Sequence, residues 1–353
     1  MEKSNNNTEG TAVIREEEQD LLKKRIMRSV HGYRRRNRIR RGALVLGCVV
    51  SVLVAGKMYF RATQPPGVYH YARSLDQGGK DSGGEVRLVM GEEQEISLGA
   101  ADSTVSYSPN GEKVTIGKSK TVLQKKDDNK QVAFNTLIVP YGKRSRIALS
   151  DGTTVWLNSG SKLVYPAVFE GDKREVYLEG EGIFEVTHNK EKPFMVLADN
   201  HRIRVLGTVF NVSNYAGDDA VRTVLKSGSV EVAYKGESMW QREKTIRIKP
   251  GTMTEYEKNT GRMTSKEVDV DDFFSWKEGV LILENSRMDE IVKKLARYYN
   301  IEIEITDLVL ARQTFSGYLD LKDSVENVIE TIRKTTDFEY FRSGTGNNKW
   351  IIN

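Results

Sequence analysis

The chain has 353 residues, of which 38% are hydrophobic and 29% charged, and its one cysteine is Cys48. This balance is typical of a globular protein of two or three domains, and one cysteine excludes an intramolecular disulfide framework or a cysteine-based zinc site. The net charge of +5 comes mainly from an arginine block beside an apolar run, so it indicates membrane topology and not direct nucleic-acid binding.

Residues 1–41 are predicted to form a short cytoplasmic tail. From Arg15 to Tyr33 the acidic start, the basic end and the apolar spacing predict one amphipathic basic helix. Its apolar face is our candidate partner-binding surface and consists of Leu21, Leu22, Ile26 and Val30. Two interpretations stay open: a helix that docks on a cytoplasmic partner, or one that lies on anionic lipid.

Residues 42–60 are predicted to span a membrane. The run from Gly42 to Gly56 has no charged residue, and its extension to Phe60 reaches about the 20 residues that a spanning helix needs. A block of six arginines between residues 34 and 41 lies directly before it and outweighs the two basic residues on the other side, Lys57 and Arg61, which predicts a cytoplasmic N-terminus. A secretory signal is a weaker interpretation, because the run begins late and lacks a small-residue cleavage site. A buried core helix is also a weaker one, because the arginine block flanks the run.

Residues 61–85 are rich in proline and glycine and are predicted to be a linker. Short alternating runs then follow over residues 86–270, without a helical pattern, which predicts an all-β sandwich, barrel or jelly roll. Asn110-Gly111 and Asp151-Gly152 are hairpin-turn signals within this region.

Residues 271–353 are predicted to form a small α/β domain, because two strand–helix–strand patterns follow one another. The first helix is predicted to begin at a Ser286 cap, with Asp289 at the capping-box position. The two helices have apolar faces at Met288, Ile291, Val292 and Leu295, and at Val325, Val328, Ile329 and Ile332.

No catalytic, cofactor or metal site is predicted. The sequence has no zinc-protease motif, nucleophile elbow or phosphate-binding loop. Glu179, Glu181 and Glu185, with Gly180 and Gly182 among them, could suggest paired carboxylates. The strand phase speaks against one shared site, since Glu181 and Glu185 would point one way and Gly182 the other, and Gly182 is more simply interpreted as a turn.

Ser159 and Ser161 are better interpreted as turn formers than as nucleophiles. Trp156, Tyr165 and Phe169 could stack on a sugar, although core packing is the more usual role of such side chains.

Several segments resemble the FecR domain of transmembrane anti-sigma factors. They are the stretch from Val139, VPYGKRSRIALSDGTTVWLNSGSKLVYP, and then REVYLEGEGIFEV, VLGTVFNV, VRTVLKSGSVEV and IKPGTMTEYEKNTG. The C-terminal part, FFSWKEGVLILENSRMDEIVKKLARYYNIEIEI through TFSGYLDLKDSVENVIETI, resembles the small domain that follows FecR in Bacteroidetes-type members and is similar to STN signalling domains. The resemblance covers residues 130–353, with the family core at about 130–265.

The resemblance implies a mainly β chain, with a sandwich or jelly-roll-like FecR domain and an STN-like α/β domain. It also implies an inner-membrane regulator without enzymatic activity. Its cytoplasmic partner would be an extracytoplasmic-function sigma factor, and its periplasmic partner the signalling domain of an outer-membrane TonB-dependent transporter. Residues 1–41 are shorter than the sigma-binding domain that family members usually carry.

Two other functions compete with this interpretation. A periplasmic binding or docking module would hold a transporter or a glycan without regulating a sigma factor. A polysaccharide-acting hydrolase would need two carboxylates that converge in a cleft.

Overall fold

A computed structural model describes residues 21, 23–25, 27, 28, 31, 46–56, 67–75, 84–91, 94–99, 104–124, 133–199, 201–234, 243–343 and 349–353. The chain divides into two compact units, Met1–Pro65 and Pro66–Asn353. In the first unit, the described residues between 21 and 31 and all of 46–56 are helical. No helix within the described ranges is both long and apolar enough to cross a membrane. The predicted span of 42–60 extends beyond the described residues on both sides and stays a prediction.

The second unit begins with helix α1 (Val68–Leu75), inside the segment predicted to be a linker. Val68 and Ala72 are buried on one face of α1, where they pack against Val164 and Tyr177. The linker prediction is therefore wrong for this stretch. The proline- and glycine-rich flanks dominate its composition, while the apolar contacts that stabilise the short helix come from distant residues.

Eighteen strands in the described part of the chain form a two-sheet sandwich. They are β1 (Val86–Met90), β2 (Gln94–Leu98), β3 (Thr104–Tyr107), β4 (Lys113–Ile116), β5 (Lys120–Leu123), β6 (Phe134–Val139), β7 (Ser145–Ala148), β8 (Thr154–Leu157), β9 (Ser161–Pro166), β10 (Arg174–Glu185), β11 (Phe194–Ala198), β12 (His201–Val205), β13 (Val209–Asn214), β14 (Ala220–Ser227), β15 (Val230–Tyr234), β16 (Lys244–Ile248), β17 (Thr252–Glu257) and β18 (Met263–Glu267).

The strands are ordered β2-β1-β6-β9-β10-β11-β12-β15-β16 in one sheet. In the other sheet the order is β5-β4-β3-β7-β8-β10-β13-β14-β17-β18. All neighbours are antiparallel except β10–β11 and β3–β7, which are parallel. Apolar side chains of both sheets form one core, as expected for a sandwich. The prediction of a mainly β chain is confirmed.

Strand β10 belongs to both sheets. Tyr177 and Glu179 pair with β9 in the first sheet, whereas Gly180 begins the pairing with β13 in the second. Gly180 has φ +92°, and a Cβ there would lie 2.6 Å from the Cα of Ser161. A glycine is therefore required where the strand passes between the sheets. The sequence suggested a turn at Gly182, and the structure has a continuous strand there.

The C-terminal domain begins with a short helix and a 3-10 turn. Its elements are α2 (Asp271–Phe274), the turn (Ser275–Glu278), β19 (Val280–Arg287), α3 (Met288–Tyr299), β20 (Glu302–Ile305), α4 (Leu308–Arg312), β21 (Thr314–Asp320), α5 (Val325–Arg333), β22 (Tyr340–Ser343) and β23 (Lys349–Ile352). Strands β19 and β21 pair antiparallel, and a second sheet has the order β20-β23-β22. The predicted apolar faces of α3 and α5 pack into this domain's own core.

The predicted cap of α3 at Ser286 is wrong. Strand β19 continues through Arg287, and Ser286 pairs with Phe315 of β21. The N–H of Met288 donates to the carbonyl of Gln313 at 2.9 Å, so strand pairing replaces a side-chain cap at this terminus. The Asp289 carboxylate accepts from the Arg287 guanidinium.

Candidate partner-binding site

Helix α3 attaches the C-terminal domain to the sandwich. Its Arg297 forms an ion pair with Asp218 of the sandwich, and the guanidinium carbon lies 3.7 Å from the centroid of the Tyr215 ring. Two turns earlier on the helix, Glu290 accepts from Arg222 of β14 at 2.7 Å. Arg297 and Asp218 are both mostly buried, so this junction is a specific contact and not a screened surface pair.

Backbone hydrogen bonds fix the same junction. The N–H of Gly142 donates to the carbonyl of Arg297 at 2.8 Å. The guanidinium of Arg144 donates to the carbonyl of Trp276 at 2.5 Å and lies 5.2 Å from the ring centroid of Tyr298. Through these contacts the sandwich holds both the 3-10 turn and α3, which fixes the orientation of the small domain.

The two-stranded sheet of β19 and β21 leaves one face outside the core. Leu281 and Leu319 pair across the strands and are buried in the domain core. Ile282 and Tyr318 form the next pair, on the opposite face because strand side chains alternate. Tyr318 is 75% exposed, so this sheet has an uncovered apolar face.

Carboxylates border this face. A shallow depression of about 600 Å³ is lined by the outer face together with Asp269, Asp272 and Glu284. Burial, and after it the charges of Asp269 and Glu284, raise the pKa of the Asp272 carboxyl. None of the three forms an ion pair with a residue that the structure describes. We call this feature, an apolar floor with an acidic rim, the acidic depression.

The acidic depression has the chemistry of a protein-binding site. Tyrosine and branched aliphatic side chains at the centre can be desolvated by a partner, while rim charges select its orientation and raise its association rate. Basic groups on such a partner would neutralise the three carboxylates.

Of the four tail residues predicted to bind a partner, the structure describes one. Leu21 lies on a helical segment and is 67% exposed. Leu22, Ile26 and Val30 lie outside the described residues, so the predicted partner-binding face stays a prediction.

Of the three carboxylates considered for catalysis, Glu179 pairs with Lys162 at 2.8 Å, and Glu181 is hydrogen-bonded to two side chains of the sandwich. The side-chain amides of Asn158 and Asn211 donate to the two oxygens of Glu181 at 2.9 and 3.0 Å. Ser159 donates to the carbonyl of Lys143, and Ser161 to the carbonyl of Glu181. These contacts give Glu181, Ser159 and Ser161 structural roles.

The aromatic side chains considered for sugar stacking are divided between the core and a pocket wall. Tyr165 is buried and lies within 3.1 Å of the hydroxyl of Tyr107, and Phe169 packs on Phe194. Trp156 is half-buried with Arg146 and Lys277 near its ring.

Sequence reasoning missed the acidic depression because its residues come from three separate segments: β19, β21 and the stretch around α2 that carries Asp269 and Asp272. One signal was present. Gly-Tyr at 317–318 puts a large aromatic residue on a strand whose neighbouring Leu319 already faces the core.

The chain matches two family models. Residues 135–231 match the model described as FecR protein, and residues 280–352 match FecR, C-terminal. Two crystal structures, at 1.65 Å and 2.50 Å resolution, of a candidate anti-sigma factor from Parabacteroides distasonis ATCC 8503 are similar. Each is 28% identical, with a TM-score of 0.56, and covers 62% of this chain and 98% of its own. No curated protein matches the chain.

Proposed function

This chain belongs to the FecR family of anti-sigma factors, and from that premise we propose that it carries a signal across the bacterial inner membrane. The signal would come from the signalling domain of an outer-membrane TonB-dependent transporter. Its receiver would be an extracytoplasmic-function sigma factor. The family is a regulatory one, and the acidic depression supports a binding role for the C-terminal domain.

The acidic depression is the observation that carries this proposal. It joins an uncovered apolar pair, Ile282 and Tyr318, to an unpaired acidic rim. A transporter domain with basic residues around an apolar patch would cover the pair and neutralise the rim. Because Arg297 fixes α3 to the sandwich, a movement of the C-terminal domain on partner binding would be transmitted to the sandwich through the Arg297–Asp218 ion pair.

The remaining parts of the proposal concern topology. We place residues 1–41 in the cytoplasm, 42–60 in the inner membrane and the second unit in the periplasm. The face formed by Leu21, Leu22, Ile26 and Val30 would contact the sigma factor.

The experiment is a binding measurement between the full chain in a non-ionic detergent and the signalling domain of a TonB-dependent transporter from the same bacterium. Tyr318→Asp places a charge at the centre of the apolar floor and should weaken binding at least tenfold, since central aromatic residues dominate many interfaces. Leu123→Asp is the matched control: Leu123 is 66% exposed on β5 of the sandwich, and this change should leave the affinity within twofold.

A second measurement tests the rim. Asp269→Lys with Glu284→Lys should slow association, and wild-type association should slow as salt is added. Equal affinities for wild type and Tyr318→Asp would reject the acidic depression as the transporter site. Binding to no transporter domain of that bacterium would reject the transporter partnership itself.

A further inference from the structure

A second pocket lies at the domain junction, on the side of the sandwich where β7 and β8 meet the 3-10 turn. Its volume is about 480 Å³, within the range of ligand sites in proteins. The half-buried Trp156 ring lines it, and behind the lining lie three core side chains that are at most 3% exposed, Val86, Leu98 and Leu157. Unlike the acidic depression, this pocket has no acidic side chain in its wall among the described residues.

Four cations line this pocket. Lys143, Arg144 and Arg146 come from the sandwich, and Lys277 comes from the 3-10 turn of the C-terminal domain. Within the described part of the chain, none of the four pairs with a carboxylate. This contrasts with the junction beside it, where Arg222 and Arg297 both have carboxylate partners.

Trp156 brings two of these cations together. The Arg146 guanidinium lies 5.0 Å from the centroid of the indole ring, and the Lys277 ammonium lies 5.9 Å from it. The bond from Arg144 to the carbonyl of Trp276 holds the turn that carries Lys277. Like charges are thus held around one aromatic ring, an arrangement that a bound anion would stabilise.

We propose that this cationic pocket binds a short acidic peptide segment of a partner protein. Carboxylate groups would bind Arg146, Lys277 and Lys143, since guanidinium and ammonium groups form strong charge-assisted hydrogen bonds to them. The volume of about 480 Å³ and the half-buried Trp156 ring favour a peptide over a small inorganic anion, because the ring would contact an aliphatic side chain between the carboxylates. A peptide held there would contact both domains.

This inference does not depend on the transporter partnership, because the pocket and the acidic depression are lined by different residues. Tyr318→Asp should therefore leave peptide binding unchanged. Each proposal can fail without the other.

The test is fluorescence anisotropy with the full chain in a non-ionic detergent. The probe is a fluorescein-labelled five-residue peptide of alternating glutamate and leucine. Arg146→Gln combined with Lys277→Gln should weaken its binding at least tenfold, and added salt should weaken wild-type binding. The control, Arg204→Gln with Lys266→Gln, removes the same charge from exposed positions on β12 and β18 and should change affinity less than twofold.

Three outcomes would overturn the proposal. The first is equal affinity of the double variant and wild type for the peptide. The second is equal affinity of wild type for a peptide with glutamine in place of glutamate. The third is displacement of the labelled peptide by inorganic phosphate or glycerol 3-phosphate at the concentration at which the unlabelled glutamate-leucine peptide displaces it. If the double variant unfolds at a lower temperature than wild type, Lys143→Gln replaces it. That single change should weaken binding several-fold, and unchanged binding would also overturn the proposal.

Discussion

A buried histidine should make the sandwich sensitive to mild acid. His201, at the start of β12, is 3% exposed, and its ring centroid lies 4.1 Å from that of Tyr256 in an edge-to-face contact. Burial lowers the pKa of His201 from 6.5 to about 4, and the nearby charge of Lys258 acts in the same direction. The folded protein therefore holds this imidazole neutral at pH values where an exposed one is protonated.

The sign of the effect follows from the two pKa values. The unfolded chain binds a proton at His201 below about pH 6.5, while the folded chain does so only near pH 4. The contribution of the neutral ring is thus fully present above pH 6.5 and is lost as the pH falls towards 4. With 1.36 kcal/mol for each pKa unit, the loss is about 2 kcal/mol at pH 5 and about 3 kcal/mol below pH 4.

The assay is denaturant unfolding of the full chain in a non-ionic detergent, followed by tryptophan fluorescence at pH 7 and pH 5. His201→Leu removes the titrating group and keeps a buried apolar side chain. The difference in unfolding free energy between wild type and variant should shift by about 2 kcal/mol in favour of the variant between pH 7 and pH 5. Other titrating groups occur in both proteins and cancel. A difference that stays constant between the two pH values would refute the reasoning.

Two further predictions concern the strand crossover and the domain junction. Gly180→Ala should destabilise the sandwich by at least about 3 kcal/mol in the same unfolding assay, because of the positive φ and the 2.6 Å approach of the added Cβ to Ser161. The control Gly217→Ala, which has open space at its Cβ, should change stability by less than about 0.5 kcal/mol. Equal effects of the two changes would contradict the requirement for glycine at position 180. Arg297→Gln and Asp218→Asn should each loosen the C-terminal domain by about 3 kcal/mol. Hydrogen exchange of α3 would report this, and a double variant no worse than either single one is expected, because the two side chains act as a pair.

Local signals in the sequence predicted local structure well. Asp151-Gly152 predicted the β7–β8 hairpin, and Gly152 has φ +82° in the turn. The apolar spacing of Met288, Ile291 and Leu295 predicted a helix, and all three are buried. In both cases the determining interactions are made between residues that are close in sequence, so the local sequence pattern is enough to predict them.

Long-range pairing could not be predicted in the same way. The parallel contact of β10 with β11, the crossover of β10 at Gly180 and the docking of α1 depend on which distant segments meet. The acidic depression has the same origin, since Asp269, Glu284 and Tyr318 lie on three segments that are separated in the chain and meet only in the folded domain. The amphipathic tail helix predicted from Arg15 to Tyr33 and its partner-binding face stay predictions, which a binding experiment can test.

The most direct measurement is transcription from a promoter of the proposed sigma factor, in cells that carry the transporter, with and without its nutrient. We expect the nutrient to change transcription in cells with the wild-type chain. The response should be lost with Tyr318→Asp, retained with Leu123→Asp, and lost again when residues 1–41 are deleted. A nutrient response that is the same without residues 1–41 would contradict the regulatory role and favour a docking module that acts only in the periplasm.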